Sequence, residues 1–169
     1  MSTFTHLADH LADHLISAAI ADLVGYGRAS AAPELTARYI DVQLGPSRQP
    51  EREILFGVTT WITEIRLSLH ARPVAGVQRT AMHAADELMT DVLRVLRWGA
   101  AGDAYTDGLR AIGAQGYTSP DGDPGMDQVA PLLIDRDTHV ASVPVGVISM
   151  SLWIKHMTEP GTLNPIQLR

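Results

Sequence analysis

Two stretches of this chain, Ile54 to Leu69 and His139 to His156, each read as sixteen or more residues of continuous β structure. An extended residue advances about 3.3 Å, so sixteen residues span on the order of 50 Å, whereas strands of globular domains usually have about 3 to 10 residues. The chain has 169 residues, 46% of them apolar, which suits one domain with one core. Two unbroken segments of this length outrun such a core. Unless sharp bends interrupt them, their ends project past the helices and leave strand edges and apolar side chains that require cover, most simply from further copies of the chain. Joining one edge of each subunit to the opposite edge of the next closes a ring.

The remaining periodicities place these segments. From Phe4 to Val24 the residues Leu7, Leu11, Leu15, Ala18 and Leu23 recur at helical spacing and Gly25 and Gly27 supply a stop, which predicts an opening amphipathic helix. Leu35 to Leu44 alternates, with Ile40, Val42 and Leu44 on one face and Tyr39, Asp41 and Gln43 on the other, as in a half-buried strand. Turn residues from Gly45 to Pro50 join it to the 54–69 segment as a hairpin. Within that segment Ile54, Phe56 and Val58 are even and Ile65, Leu67 and Leu69 odd, so the buried face switches near Trp61 and Ile62, which implies a bulge or a change of packing partner. Pro73 can open a helix whose apolar stripe runs from Val77 to Trp98, with Gly99 as its stop.

Residues 99–128 are rich in Gly, Asp and Pro and carry five acids and one Arg. After them, Val129 to Ile134, a polar turn at Asp135 to Asp137 and the long β run from His139 form a second hairpin, with Ile148, Met150, Leu152 and Ile154 on one face and Ser149, Ser151, Trp153 and Lys155 on the other. The predicted fold over 1–169 is a single α+β domain, a mixed or antiparallel sheet of two long hairpins packed against two main helices. Residues 99–128 form an insertion and 158–169 a C-terminal tail.

Thirteen Lys and Arg against nineteen Asp and Glu give a net charge of −6, which argues against a nucleic-acid groove or an anionic membrane as the main partner. With no cysteine, thiol nucleophiles and thiolate metal sites are excluded. The first basic residue is Arg28, so the start does not read as a secretory signal. The longest stretch free of Asp, Glu, Lys and Arg, Thr138 to Ile154, contains Pro144 and Gly146 and falls short of the roughly 20 apolar residues that span a bilayer. The reading is of a protein kept in the cytoplasm.

His6, His10 and His14 recur every four residues beside Asp9 and Asp13. One helical face would then hold three imidazoles able to share a metal, or simply form the solvated side of the helix; no Glu stands between them in the zinc-hydrolase arrangement. Asp121, Asp123 and Asp127 lie in a Gly and Pro loop but lack the EF-hand spacing. Gly25-Tyr-Gly-Arg28 follows a helix instead of opening one, unlike a phosphate-binding loop. Trp61, Trp98 and Trp153 are the only tryptophans; Trp61 and Trp98 suit core filling, and Trp153, among Ser149, Ser151 and Lys155, suits a contact between subunits.

The order of elements then resembles a known family. An opening helix precedes a hairpin from Arg38 to Leu69 with a Gly-Pro turn, then an Ala-Arg-Pro exit at 71–73. A long Ala-rich helix and a closing hairpin ending in Ser-Leu-Trp-Ile-Lys-His follow. This layout is similar to that of the tail-terminator proteins of long-tailed bacteriophages and phage-like particles, from about residue 4 to 157, without an invariant motif. The resemblance implies a virion structural protein, not an enzyme, with no cofactor. Its subunits form a homo-oligomeric ring, a hexamer, that caps the finished tail tube. Its partners would be further copies of itself, the tail tube protein and the head connector protein, with DNA only as passing cargo and no membrane. It implies synthesis in the host cytoplasm and residence at the head-proximal end of the tail. Family analogy places loops at the tube and connector faces, here the Gly45 to Arg52 turn with Arg48 and Arg52 and the 119–128 loop with Asp121 and Asp123. Trp61 and Trp153 complete the candidate interface residues. The 99–128 insertion departs from the smaller members. Two other readings stand beside it, a head–tail connector or neck protein, and a small α+β enzyme or ligand-binding module. The latter would have a pocket between sheet and helices and use His83, His139 or His156 as acid or base.

Overall fold

The computed structural model describes residues 3–26, 36–49, 59–73, 80–96, 127–128, 133–139, 144–158 and 161–162. Their elements are α1 (Thr3–Ser17), β1 (Leu23–Tyr26), β2 (Arg38–Arg48), β3 (Thr59–Ala71), α2 (Ala81–Val95), β4 (Asp127–Gln128), β5 (Leu133–His139) and β6 (Val145–Thr158). One mixed sheet runs in the order β1-β2-β3-β6, and β4 and β5 both pair with β6. The β1–β2 pair is parallel and every other pair antiparallel. The architecture is α+β, as the element pattern predicts, and both predicted hairpins are present.

Alternation decides which face is buried. Ile40 and Val42 on β2, Ile65, Leu67, Leu69 and Ala71 on β3, and Ile148, Met150 and Leu152 on β6 share one side of the sheet. That side is sealed by Leu7, Leu11 and Leu15 of α1 and by Ala85, Leu88, Val92 and Leu96 at α2, all within one buried cluster. A fully buried Leu or Ile contributes about 1.5–3 kcal/mol, so these stripes hold both helices to the sheet. Thr80 caps α2, its side chain accepting a hydrogen bond from the His83 N–H at 3.2 Å.

The structure corrects several boundaries. α1 stops at Ser17, and Ala19 takes a left-handed conformation with φ 51°, so the chain turns before Leu23 and Val24 and these become an edge strand instead of helix. Gly25 lies in that strand beneath the Tyr39 ring, whose hydroxyl would stand 2.6 Å from an added Cβ. The described bulge falls on β2, and β3 has none at Trp61 or Ile62; Ile54, Phe56 and Val58, on which the expected switch of buried face rests, lie outside the described residues. From Leu44↔Ile65 the register moves to Ser47↔Thr63, three residues against two. Gly45, Pro46 and Ser47 are therefore strand residues rather than the turn, and Pro46 is tolerated because a bulge needs no ladder N–H. β3 itself pairs with β6 without a shift from Thr59↔Thr158 to Ala71↔Gly146. β2 is not half-buried at its start, since Tyr39 and Asp41 are buried as well. Asp135 to Asp137 lie within β5, and the second hairpin connects after His139 instead. α2 begins at its Thr80 cap, not at Pro73.

Strand length sets the shape. The 13 residues of β3 extend about 40 Å at about 3.3 Å each, whereas each 15-residue helix is about 22 Å long at about 1.5 Å per residue. The apolar cluster accordingly reaches along β3 only from Ile65 to Ala71. Toward the other end the buried residues on this side become polar, with Thr63 and Thr158.

At the covered end α2 rests on Gly146. A Cβ there would overlap the Ala81 carbonyl oxygen and lie 2.6 Å from its carbon. Because backbone cannot yield as a side-chain tip can, Gly146→Ala should lower stability by about 1–3 kcal/mol, read as a reduced urea midpoint at unchanged m-value.

Candidate functional site

The side of the sheet away from the helices is polar. Successive cross-strand rows place Tyr39, His70 and Val147 together, then Asp41, Ser68 and Ser149, then Gln43, Arg66 and Ser151. Side chains one strand apart on one face meet, and here they form a network. The Gln43 amide donates to Asp41 Oδ2 at 2.7 Å, the Tyr39 hydroxyl to Asp41 Oδ1 at 3.4 Å, and Ser68 Oγ lies 2.9 Å from His70 Nε2. The Tyr39 and His70 rings are tilted, their centroids 5.5 Å apart. Glu64, 6% exposed, accepts two bonds from Arg66, at 2.8 and 2.9 Å, and one from Ser151 at 2.7 Å. The Arg66 hydrogen bonds hold the Glu64 carboxyl below its ordinary range, against burial, which pushes it up.

A serine hydroxyl on an imidazole has the form of a nucleophile and base. Ser68 and His70 sit on β3, however, whose backbone is laddered to β2 on one side and β6 on the other. Its N–H groups are thereby engaged, so no pair of them is presented to an oxyanion. The arrangement braces three strands.

At the far end of the sheet, Trp61 Nε1 donates to Thr158 Oγ1 at 3.1 Å, and Ser47 Oγ meets Thr63 Oγ1 at 2.8 Å. Arg48 pairs with Ile62, beside Trp61, and is exposed. Two sequence-predicted interface residues, Arg48 and Trp61, lie toward the same end of the sheet but on its opposite faces, and Leu44, which is 44% exposed, pairs with Ile65. Trp153 pairs with Glu64 through its backbone, and its side chain lies outside the described residues. Arg52, Asp121 and Asp123 also lie outside them.

A third region escaped the periodicity analysis. Ile16 at the end of α1 and Leu23 and Tyr26 on β1 are large, apolar and exposed. The Tyr26 hydroxyl donates to the Asp9 carbonyl at 3.2 Å; burial, then the charges of Asp9 and Asp13, raise its pKa. The available signal was Asp22, a turn former inside the supposed helix. Its carboxylate accepts the Arg38 N–H at 2.8 Å and its N–H donates to the Arg38 carbonyl, which starts β1 beside β2.

His83 lines an open groove of about 730 Å³ with Arg38, Asp86, Glu87, Thr90, Asp91 and Arg94. This groove lies on the outer side of α2, while the space between sheet and helices is filled by the apolar cluster. Its charges are matched internally, with Asp91 2.9 Å from Arg38 and 3.0 Å from Arg94. Arg38 also donates to the Ile20 carbonyl at 3.3 Å, so it ties the α1–β1 turn to α2. His14 Nε2 lies 3.4 Å from the Val95 carbonyl, directed at α2. The side chains of His6, His10, His139 and His156 lie outside the described residues, among which no three His, Asp or Glu are placed to hold a metal. No described helix is long and apolar enough to cross a membrane.

The chain matches no protein-family model, and no curated protein is significantly similar to it. What it does must be argued from these surfaces.

The Glu64 contact has a pH signature. A carboxyl depressed on folding contributes stability above its unfolded pKa, about 4.3, and loses it as pH falls through the folded value. Glu64→Gln should therefore destabilise the protein at pH 7, and the gap from the native chain should close as the pH is lowered toward 3, measured by denaturant unfolding across a pH series.

Proposed function

We propose that this chain is a tail terminator, a ring-forming subunit that caps the tail tube of a long-tailed bacteriophage or phage-like particle. One observation carries the proposal: β3 and β6 are paired over about 40 Å, while among the described residues the helices and the apolar cluster reach along β3 only from Ile65 to Ala71. A sheet that runs past its described helices, with exposed Arg48 toward its end and exposed Leu44 beside Ile65, is useful in an assembly. The order of helix, hairpin, helix and hairpin supports the terminator reading in particular.

In this reading the ring acts by shape. One face meets the last ring of tube subunits, so further tube subunits lose their site, and the other face receives the head connector. Residues 1–27 carry three acids and no Lys or Arg. A surface of that sign facing the channel repels the phosphate backbone and lets DNA pass without adhering.

Purified chain incubated with assembled tail tubes should appear by electron microscopy as a cap at one tube end, and capped tubes should not elongate when tube protein is added. Attachment nowhere, or only to the portal, overturns the proposal, the latter in favour of a connector. Leu44→Glu places a charge on a side chain already exposed. It should leave the unfolding midpoint within about 0.5 kcal/mol of the native value and sharply reduce capping.

A further inference from the structure

Among the described residues, three of the four large apolar side chains most exposed to solvent lie on α1 or β1: Ile16 at 53% at the end of α1, and Leu23 at 45% and Tyr26 at 44% on opposite faces of the edge strand β1. β1 is laddered only to β2 among the described residues, so alternate residues turn their N–H and C=O outward. An open strand edge bordered by apolar side chains is a template for another strand.

Strand directions select which strand. β1 is parallel to β2, β2 antiparallel to β3, and β3 antiparallel to β6, so β1 and β6 point the same way. β5 is antiparallel to β6 and hence to β1. It pairs with no described strand on its outer side, at the opposite border of the sheet. Two copies placed side by side in the same orientation therefore bring β1 against β5 as an antiparallel pair, the more stable kind.

Charge agrees with this choice. Asp9 and Asp13 flank Tyr26 on the helix side of β1. The β5–β6 register sets position 136, an Arg, opposite Ile148 of the apolar cluster, and so on the helix side of β5. A β1-to-β5 junction brings position 136 to the same side of the sheet as the two acids. A two-fold β1-to-β1 junction would instead set Asp9 and Asp13 of both copies together, and like charges across a junction select against it.

We propose that β1 of one copy receives β5 of the next, so that a single sheet continues from subunit to subunit with Ile16, Leu23 and Tyr26 covered at each junction. The proposal deepens the ring reading and rests on it, since head-to-tail addition closes only if the subunits encircle an axis.

The absence of cysteine gives a silent background for cross-linking. Leu23→Cys is tested against Leu133→Cys, Asp135→Cys and Asp137→Cys, whose positions share one face of the sheet with it, using a short bis-maleimide. Mixing Leu23→Cys with a β5 variant should give cross-linked dimers, the double variant a ladder ending at the ring size, and Leu23→Cys alone none. Arg136→Glu should cut the yield about tenfold and Asp13→Arg in the same chain should restore it. Dimers from Leu23→Cys alone overturn the junction in favour of a two-fold contact. Rings on tail tubes without β1-to-β5 cross-links overturn the junction but leave the terminator reading standing. Cross-linked ladders from a chain that never caps a tube support the junction and remove the terminator.

Discussion

The pairing of β3 with β6 is the constraint on which the other elements depend. It joins residues 59–71 to residues 146–158 without a slip. β2 is added to one side of it, β5 and the short β4 to the other; α2 rests on the two strands it joins, and α1 on β2 and β1 beside them. Because the two strands are remote in sequence, their pairing must overcome the entropy of closing a long loop before it is rewarded. A one-residue slip would turn Ile65, Leu67 and Leu69 away from the helices. The apolar stripe and the polar network on the opposite face, where Glu64 takes Arg66 and Ser151 together, enforce the same register from two sides.

The two faces have different work. On one, aliphatic side chains from three strands and two helices exclude water. On the other, buried Asp41 and Glu64 are tolerated because each accepts hydrogen bonds, Asp41 from Tyr39 and Gln43 of its own strand and Glu64 from Arg66 of its own strand and Ser151 of β6. This second face braces the sheet without presenting the features of an acyl-transfer site. Among the described residues, the borders of the sheet at β1 and β5 pair with no further strand, and the apolar cluster reaches along β3 only from Ile65 to Ala71.

Alternation and helical spacing made the α+β class, both hairpins, and most of the buried cluster readable, down to Ile65, Leu67, Leu69, Ile148, Met150 and Leu152. The misplacements share a cause. Leu23 and Val24 continue the apolar spacing of α1, yet Ala19 turns the chain, which no glycine announces. The Gly45-Pro46 pair reads as a turn and is a bulge; Asp135 to Asp137 read as a turn and lie in a strand, because a laddered backbone outweighs local turn preference. Of the predicted interface residues, Trp61 and Arg48 are brought to the same end of the sheet, on opposite faces, by the β2–β3 register, a placement that sequence spacing does not encode.

By itself the sequence determined which faces of the strands and helices are apolar and that two β segments are unusually long, since periodicity is a local property of the chain; their bounds, and the 15-residue length of each helix, came from the structure. Only the tertiary structure decided that, among the described residues, β1 is an edge strand and β5 lies at the opposite border running antiparallel to it, and that Ile16, Leu23 and Tyr26 are left exposed on α1 and β1. Those outcomes follow from which strands pair and in which direction, and that is set by contacts between residues far apart in the chain.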